Sequence, residues 1–103
     1  DNSGEYVAPE TPTERALEKY WIDFLSIERA SIYDNFFYLG GHSLLATRLA
    51  TTINQNFGIQ FSLKELFESS NLQTMARQVD ELIALEKSKR LKDINKEKME
   101  IEW

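Results

Sequence analysis

The stretch Gly40-Gly41-His42-Ser43-Leu44-Leu45-Ala46-Thr47-Arg48-Leu49-Ala50-Thr51-Thr52-Ile53-Asn54-Gln55-Asn56-Phe57-Gly58 decides how the rest of the chain reads. Ala46, Leu49, Ala50, Ile53 and Phe57 recur at three- and four-residue intervals, the spacing that lines one face of an α-helix. Glycines bracket the run. The pair at 40–41 permits a sharp turn into it, and Gly58 suits the residue that stops it. A helix over 43–57 with one buried stripe is therefore expected. Thr47, Thr51, Thr52 and Asn54 form a neutral polar fringe, and Arg48 is the only charge on the helix. Leu44 lies off the stripe beside Ser43, where an exposed apolar side chain suits contact with a partner.

Working outward, Ser62-Leu63-Lys64-Glu65 is a capping box that opens a short helix through Phe67. Asn71 can cap a last helix carrying Leu72, Met75, Val79, Leu82 and Ile83 on one face. On the other side, Thr11-Pro12-Thr13-Glu14 combines a cap, a proline at the first helical position and a returning glutamate. Leu17, Tyr20, Trp21, Phe24 and Leu25 then follow at helical spacing, with Trp21 and Phe24 assigned to the core. Between 26 and 42 the period breaks, so a long loop is expected, pinned by Phe36, Phe37 and Leu39. The fold class is all-α: a small bundle of three main helices plus one short helix, with a long loop between the first two main helices.

Both ends differ from this body. Residues 1–10 contain Gly4 and Pro9 and show no apolar period, so they read as a linker, with the domain over 11–86. Residues 87–103 read as a flexible tail, its Lys/Glu-rich part a solvated tether that can prolong the last helix by a turn or two. Met99-Glu100-Ile101-Glu102-Trp103 alternates apolar and acidic, a strand period with no partner strand elsewhere in the chain. Such a segment is expected to be disordered alone and suited to adding a strand to a partner's sheet.

Composition narrows the function. The 103 residues are 42% hydrophobic and 28% charged, ordinary for one folded domain. Through Leu85 six basic residues face twelve acidic ones, whereas from Glu86 onward six basic face five acidic, for a net charge of −5. A nucleic-acid binder would show a basic face, so that class is set aside. No apolar run is long enough to span a membrane and no secretory signal opens the chain. With no cysteine there is no disulfide, thiolate metal site or thiol nucleophile, and a cytoplasmic setting is the default. One histidine and scattered carboxylates make no metal site.

Ser43 is the residue that can carry chemistry. At the first turn of a helix, free backbone N–H groups and the dipole's positive end favour a negative group. A phosphate ester on its hydroxyl would fit there. Serine is also among the commonest helix caps, so local rules leave both readings open. A serine hydrolase elbow would need Gly-x-Ser-x-Gly, and Leu45 occupies the second glycine position. His42, adjacent in sequence, is poorly placed as its base. A helical docking module with an unmodified serine remains as the second reading.

The segment Asp34-Asn35-Phe36-Phe37-Tyr38-Leu39-Gly40-Gly41-His42-Ser43-Leu44-Leu45 resembles the attachment motif of peptidyl carrier (thiolation) domains of nonribosomal peptide synthetases. The resemblance runs from about Tyr6 to Leu85, and Tyr6-Val7-Ala8-Pro9 is similar to linkers that leave an adenylation domain. It implies that Ser43 is esterified by the 4'-phosphopantetheine of coenzyme A through a phosphopantetheinyl transferase. Gly41, His42 and Leu44 would surround the attachment, and His42 resembles the peptidyl branch rather than acyl carriers. Tyr38 departs from the pattern, which commonly has a charged residue there. Adenylation and condensation domains are the implied partners, met through Leu44, Thr47 and Arg48. No catalytic residue is implied, since a carrier of this kind performs no reaction itself, and it is expected to be a monomer in isolation. Met99, Glu100, Ile101, Glu102 and Trp103 resemble a C-terminal docking motif for the N-terminal docking domain of a downstream subunit.

Overall fold

The computed structural model describes residues 6–69 and 71–101, with side chains through Leu91. Four helices follow one another: α1 Pro12–Leu25, α2 Ser43–Phe57, α3 Leu63–Glu68 and α4 Leu72–Ile101. No strand occurs among the described residues. The first three follow the sequence periods closely. α1 opens on the expected reciprocal cap, with Glu14 N–H donating to Thr11 Oγ1 at 3.0 Å and Thr11 N–H donating to Glu14 Oε1 at 3.2 Å. α3 repeats the device with Ser62 and Glu65. Gly58 stops α2 in the left-handed region, at φ 66°.

The stripes meet in one core: Leu17 and Trp21 of α1, Ala46, Leu49 and Ile53 of α2, Leu66 of α3, and Leu72, Met75 and Val79 of α4 are all buried. Burial of each large side chain contributes roughly 1.5–3 kcal/mol. Phe24, Phe57, Leu82 and Ile83 are only partly buried and edge this cluster. Trp21 Nε1 is buried without a hydrogen-bond partner among the described residues. Its place is justified by packing instead, with the Phe36 ring edge-on at 5.4 Å between centroids.

The 26–42 loop is anchored by burial and by its own hydrogen bonds. Ala30, Ile32 and Phe36 are buried within the core. Asn35 Oδ1 accepts from the N–H of Phe37 at 2.8 Å, and Ser31 and Asp34 bond each other in both directions. The first N–H groups of α4 close onto the same loop, Leu72 donating to the Asp34 carbonyl and Gln73 to that of Ile32.

The chain's two ends depart from the sequence expectation. Residues 6–10, read as linker, lie against the body: Pro9 is buried and the Ile32 N–H donates to the Val7 carbonyl at 3.0 Å. α4 continues to Ile101 and so takes in the stretch expected to be a tether. The strand period assigned to Met99, Glu100 and Ile101 is corrected here, because these three residues are helical. Glu102 and Trp103 lie outside the described residues. The reason is local: lysine, glutamate, leucine and methionine are strong helix formers, and a five-residue alternation without a partner strand has no ladder to stabilise it.

Candidate functional site

Two glycines with different duties turn the chain into α2. Gly40 has φ +112°, a conformation that side-chain-bearing residues avoid, although space around it is open. Gly41 has the opposite constraint. A Cβ there would lie 2.4 Å from two carbons of the Phe36 ring and 2.7 Å from its carbonyl oxygen. The Gly41 N–H donates to that same carbonyl at 3.0 Å. Behind it the aromatic rings form a file. Phe36 packs edge-on against Phe37 at 5.5 Å, and Phe37 stacks on Phe67 at 5.1 Å and 13°. This wedge, rooted on Trp21, fixes the turn that delivers the next residues.

His42 is then the N-cap, extended at φ −140° and ψ 178°, and its side chain makes no capping hydrogen bond. Its carbonyl accepts from Ala46 N–H at 2.8 Å, which starts the helix. Ser43 is the first helical residue, exposed, and its hydroxyl has no hydrogen-bond partner among the described residues. His42, not Ser43, therefore occupies the cap position. The N–H groups of Ser43, Leu44 and Leu45 precede Ala46, the first intrahelical donor, and point out of the helix end. No acidic side chain stands in the first turn. The arrangement is an open, electropositive helix terminus with a free hydroxyl on it, and an esterified phosphate would take up those donors.

Around this point the surface is largely apolar, with Arg48 as the one charge α2 adds to it. Leu44 is 60% exposed and Tyr38 90%. Thr47, Arg48 and Thr51 are exposed too. The threonines return their hydroxyls to their own helix, Thr47 to the Ser43 carbonyl at 2.9 Å and Thr51 to the Thr47 carbonyl at 3.0 Å. They offer methyl groups and spent donors rather than free ones. Asn54 is not part of this fringe. It accepts from Phe61 N–H at 2.6 Å and donates to the Phe61 carbonyl at 3.2 Å, clamping the turn after α2. An asparagine just ahead of a terminating glycine and an apolar Ile59–Phe61 pair was the available signal. Sequence reasoning also passed over Phe67, half-exposed and stacked on Phe37; its position at the end of a short helix gave no period to read. No group of three or more histidine, cysteine, aspartate or glutamate residues that could hold a metal occurs among the described residues. No described helix is long and apolar enough to cross a membrane.

Residues 15–79 match the protein family described as "Phosphopantetheine attachment site". The chain belongs to that family. One of the linear gramicidin synthase subunits of Brevibacillus parabrevis is 46% identical over 72 residues, 70% of this chain and 1% of the synthase. The carrier thus spans a small fraction of such a relative's length. Among solved structures, a chain from the solution structure of a non-covalent extended docking domain complex of the Pax NRPS (PaxA T1-CDD/PaxB NDD) superposes with a TM-score of 0.78 at 35% identity, covering 92% of each chain. A chain from the structure of the phosphopantetheine transferase Sfp in complex with coenzyme A and a peptidyl carrier protein gives 0.70 at 33% identity, covering 73% of this chain and 97% of that one. The protein is a peptidyl carrier domain of the nonribosomal peptide synthetase kind, a helical carrier that takes 4'-phosphopantetheine and catalyses nothing itself.

Proposed function

We propose that Ser43 is the attachment residue, and the carrying observation is the open end of α2: an exposed, unbonded hydroxyl on a helix terminus that no side chain caps. Once attached, the group supplies a terminal thiol that holds aminoacyl or peptidyl units as thioesters. What the chain contributes is position. The glycine turn and the Phe36 wedge hold Ser43 still, the first-turn N–H groups receive the phosphate, and Gly41 and His42 keep the approach free of bulky or acidic side chains. Mass spectrometry after incubation with coenzyme A and a broad-specificity phosphopantetheinyl transferase should show one group on the wild type and none on Ser43→Ala. A modified Ser43→Ala protein, or an unmodified wild type beside an active control, would sink the assignment.

On the same reading, an adenylation domain loads the arm and condensation domains use what it carries, the domain acting as a monomer in the cytoplasm. They would meet the face formed by Leu44, Thr47 and Arg48. Its exposed apolar residue and bonded threonines favour recognition by shape over charge. Leu44→Asp should slow loading while leaving the fold intact.

The C-terminal segment Met99, Glu100, Ile101, Glu102 and Trp103 is read as a docking element for the N-terminal docking domain of a downstream subunit. The full-length likeness to a chain of the Pax docking domain complex supports this. With 99–101 helical, strand addition would first unwind the last turn of α4. Glu100 lies in the last turn of α4, where the dipole disfavours negative charge, so a basic partner surface would relieve it. Deleting residues 99–103 should abolish binding of that domain, and equal binding by the truncated protein would remove the docking role.

A further inference from the structure

The segment that enters the domain is fastened by two kinds of contact with different permanence. Its inner end is fixed: Pro9 is buried, and the Glu10 N–H donates to Glu14 Oε1 at 2.9 Å, a carboxylate that already closes the α1 cap. The outer part, Tyr6 to Ala8, rests on the 26–42 loop. The Val7 N–H donates to Ser31 Oγ at 3.1 Å, and the Ile32 N–H donates to the Val7 carbonyl at 3.0 Å. The Tyr6 hydroxyl donates to Glu18 Oε2 at 3.4 Å, and the Arg29 guanidinium carbon lies 4.1 Å from the centre of the Tyr6 ring. Glu18 Oε2 also accepts the Ala30 N–H at 3.0 Å, so one carboxylate ties α1, the loop and the segment together.

These outer contacts are weak individually and wet. Tyr6 is 37% exposed, Ala8 is exposed, and Val7 is only partly buried. Two backbone hydrogen bonds, a long hydroxyl bond and one cation–π contact are of the order needed to offset the entropy of ordering three residues, with little surplus. Ala8 precedes a proline and so keeps to extended backbone, which makes the strap leave the buried Pro9 as an extended segment.

We infer that Tyr6 to Ala8 form a releasable strap, closed on the loop through Val7 and Tyr6, which sets how far the carrier can move from the chain before it. The reach is the part that rests on the reading that another domain precedes this one. Opening three residues frees about 10 Å of additional extended chain and unlocks its direction. The chain's own residues can therefore alternate between a short, oriented tether and a longer free one without disturbing the core. Partial burial and then the Glu18 carboxylate raise the Tyr6 phenol above its ordinary range, while Arg29 draws it down and Asp34 adds to the rise. The neutral phenol is thus the form that closes the strap. The phenol's contribution to closure is fully present below about pH 10 and is lost as the pH rises through the elevated value.

Two measurements on this chain test the strap independently of what precedes it. Amide hydrogen exchange should show Ile32, whose acceptor is on the strap, exchanging at least tenfold faster than Leu49 or Ile53. Tyr6→Ala together with Arg29→Gln should speed Ile32 by about a further tenfold and leave those two core amides unchanged. Because the chain has no cysteine, dyes placed through Asn2→Cys and Gln55→Cys can report the distance across the strap. Its distribution should broaden and lengthen in the double variant. An Ile32 amide as slow as the core, a core that loosens along with it, or an unchanged distance distribution would each overturn the strap. If all three results favour it and fusion behind an adenylation domain still gives identical loading by both forms, the strap opens but does not set the carrier's reach, and that part of the inference fails.

Discussion

The four helices begin in two ways. α1, α3 and α4 are closed by their own side chains: Thr11 with Glu14, Ser62 with Glu65, and Asn71, whose Oδ1 accepts the Thr74 N–H at 2.8 Å. α2 begins on His42, whose side chain caps nothing, and carries no acidic residue in its first turn. A chain that closes three helix ends and leaves the fourth open gives up roughly 1 kcal/mol at that end. What stands there instead is Ser43. The contrast supports the proposed attachment, because a phosphate on Ser43 would complete the one helix end that no side chain closes.

The widest expected effect breaks the comparison at its chemical centre. Ser43→Ala should lose attachment completely while its stability to urea stays within about 0.5 kcal/mol of wild type, since the hydroxyl holds nothing in the fold. Thr11→Ala, which removes a hydroxyl that does cap its helix, should do the reverse. It should cost about 1 kcal/mol and leave attachment at the wild-type rate. If Ser43→Ala proves the more destabilising of the two, Ser43 was a structural residue after all.

Next in size is the turn that delivers the open end. Gly41→Ala drives a methyl group into the Phe36 ring and its carbonyl, neither of which can yield, because the ring is wedged between Trp21 and Phe37. A loss of about 2–3 kcal/mol and slower attachment are expected, read by thermal unfolding and by the rate of mass gain. Gly40→Ala meets no atom but holds a positive φ, so it should cost less, about 1–2 kcal/mol. Equal costs would mean that backbone conformation, not the Phe36 contact, governs both positions.

Much of this was readable in the chain. The stripe Ala46-Leu49-Ala50-Ile53 placed α2, and the two capping boxes placed the starts of α1 and α3, because cap and period are local properties. The glycine pair was readable as a turn, but the Gly41–Phe36 approach was not, since it depends on how a loop folds back on itself. The pairing of Val7 with Ser31 and Ile32 spans more than twenty residues and leaves no periodic trace. At the C-terminus a five-residue alternation was outweighed by the helix-forming residues around it. Asn54 belongs to the turn after α2 and not to the recognition fringe; its spacing ahead of Gly58 hinted at this, but the partner is the backbone of Phe61.

The smallest effect sharpens the comparison most, because it converts the open end into a closed one. His42→Asp supplies a carboxylate at the N-cap that can accept from the N–H groups of Leu44 or Leu45, as Thr11 does for Glu14 in α1. In the unmodified domain it should stabilise by about 0.5–1 kcal/mol, raising the melting temperature by a few degrees for a domain of this size. The same donors are those assigned to the phosphate on Ser43, and two negative groups sharing one helix end repel each other. After attachment the gain should therefore shrink to a few tenths of a kcal/mol or vanish, although the variant can still be modified. The four species, wild type and His42→Asp with and without the group, form a thermodynamic cycle whose coupling is the quantity of interest. A coupling of about half a kcal/mol or more means that the cap and the phosphate compete for the same N–H groups. A coupling of zero means that the phosphate sits elsewhere and that the open terminus is not its seat.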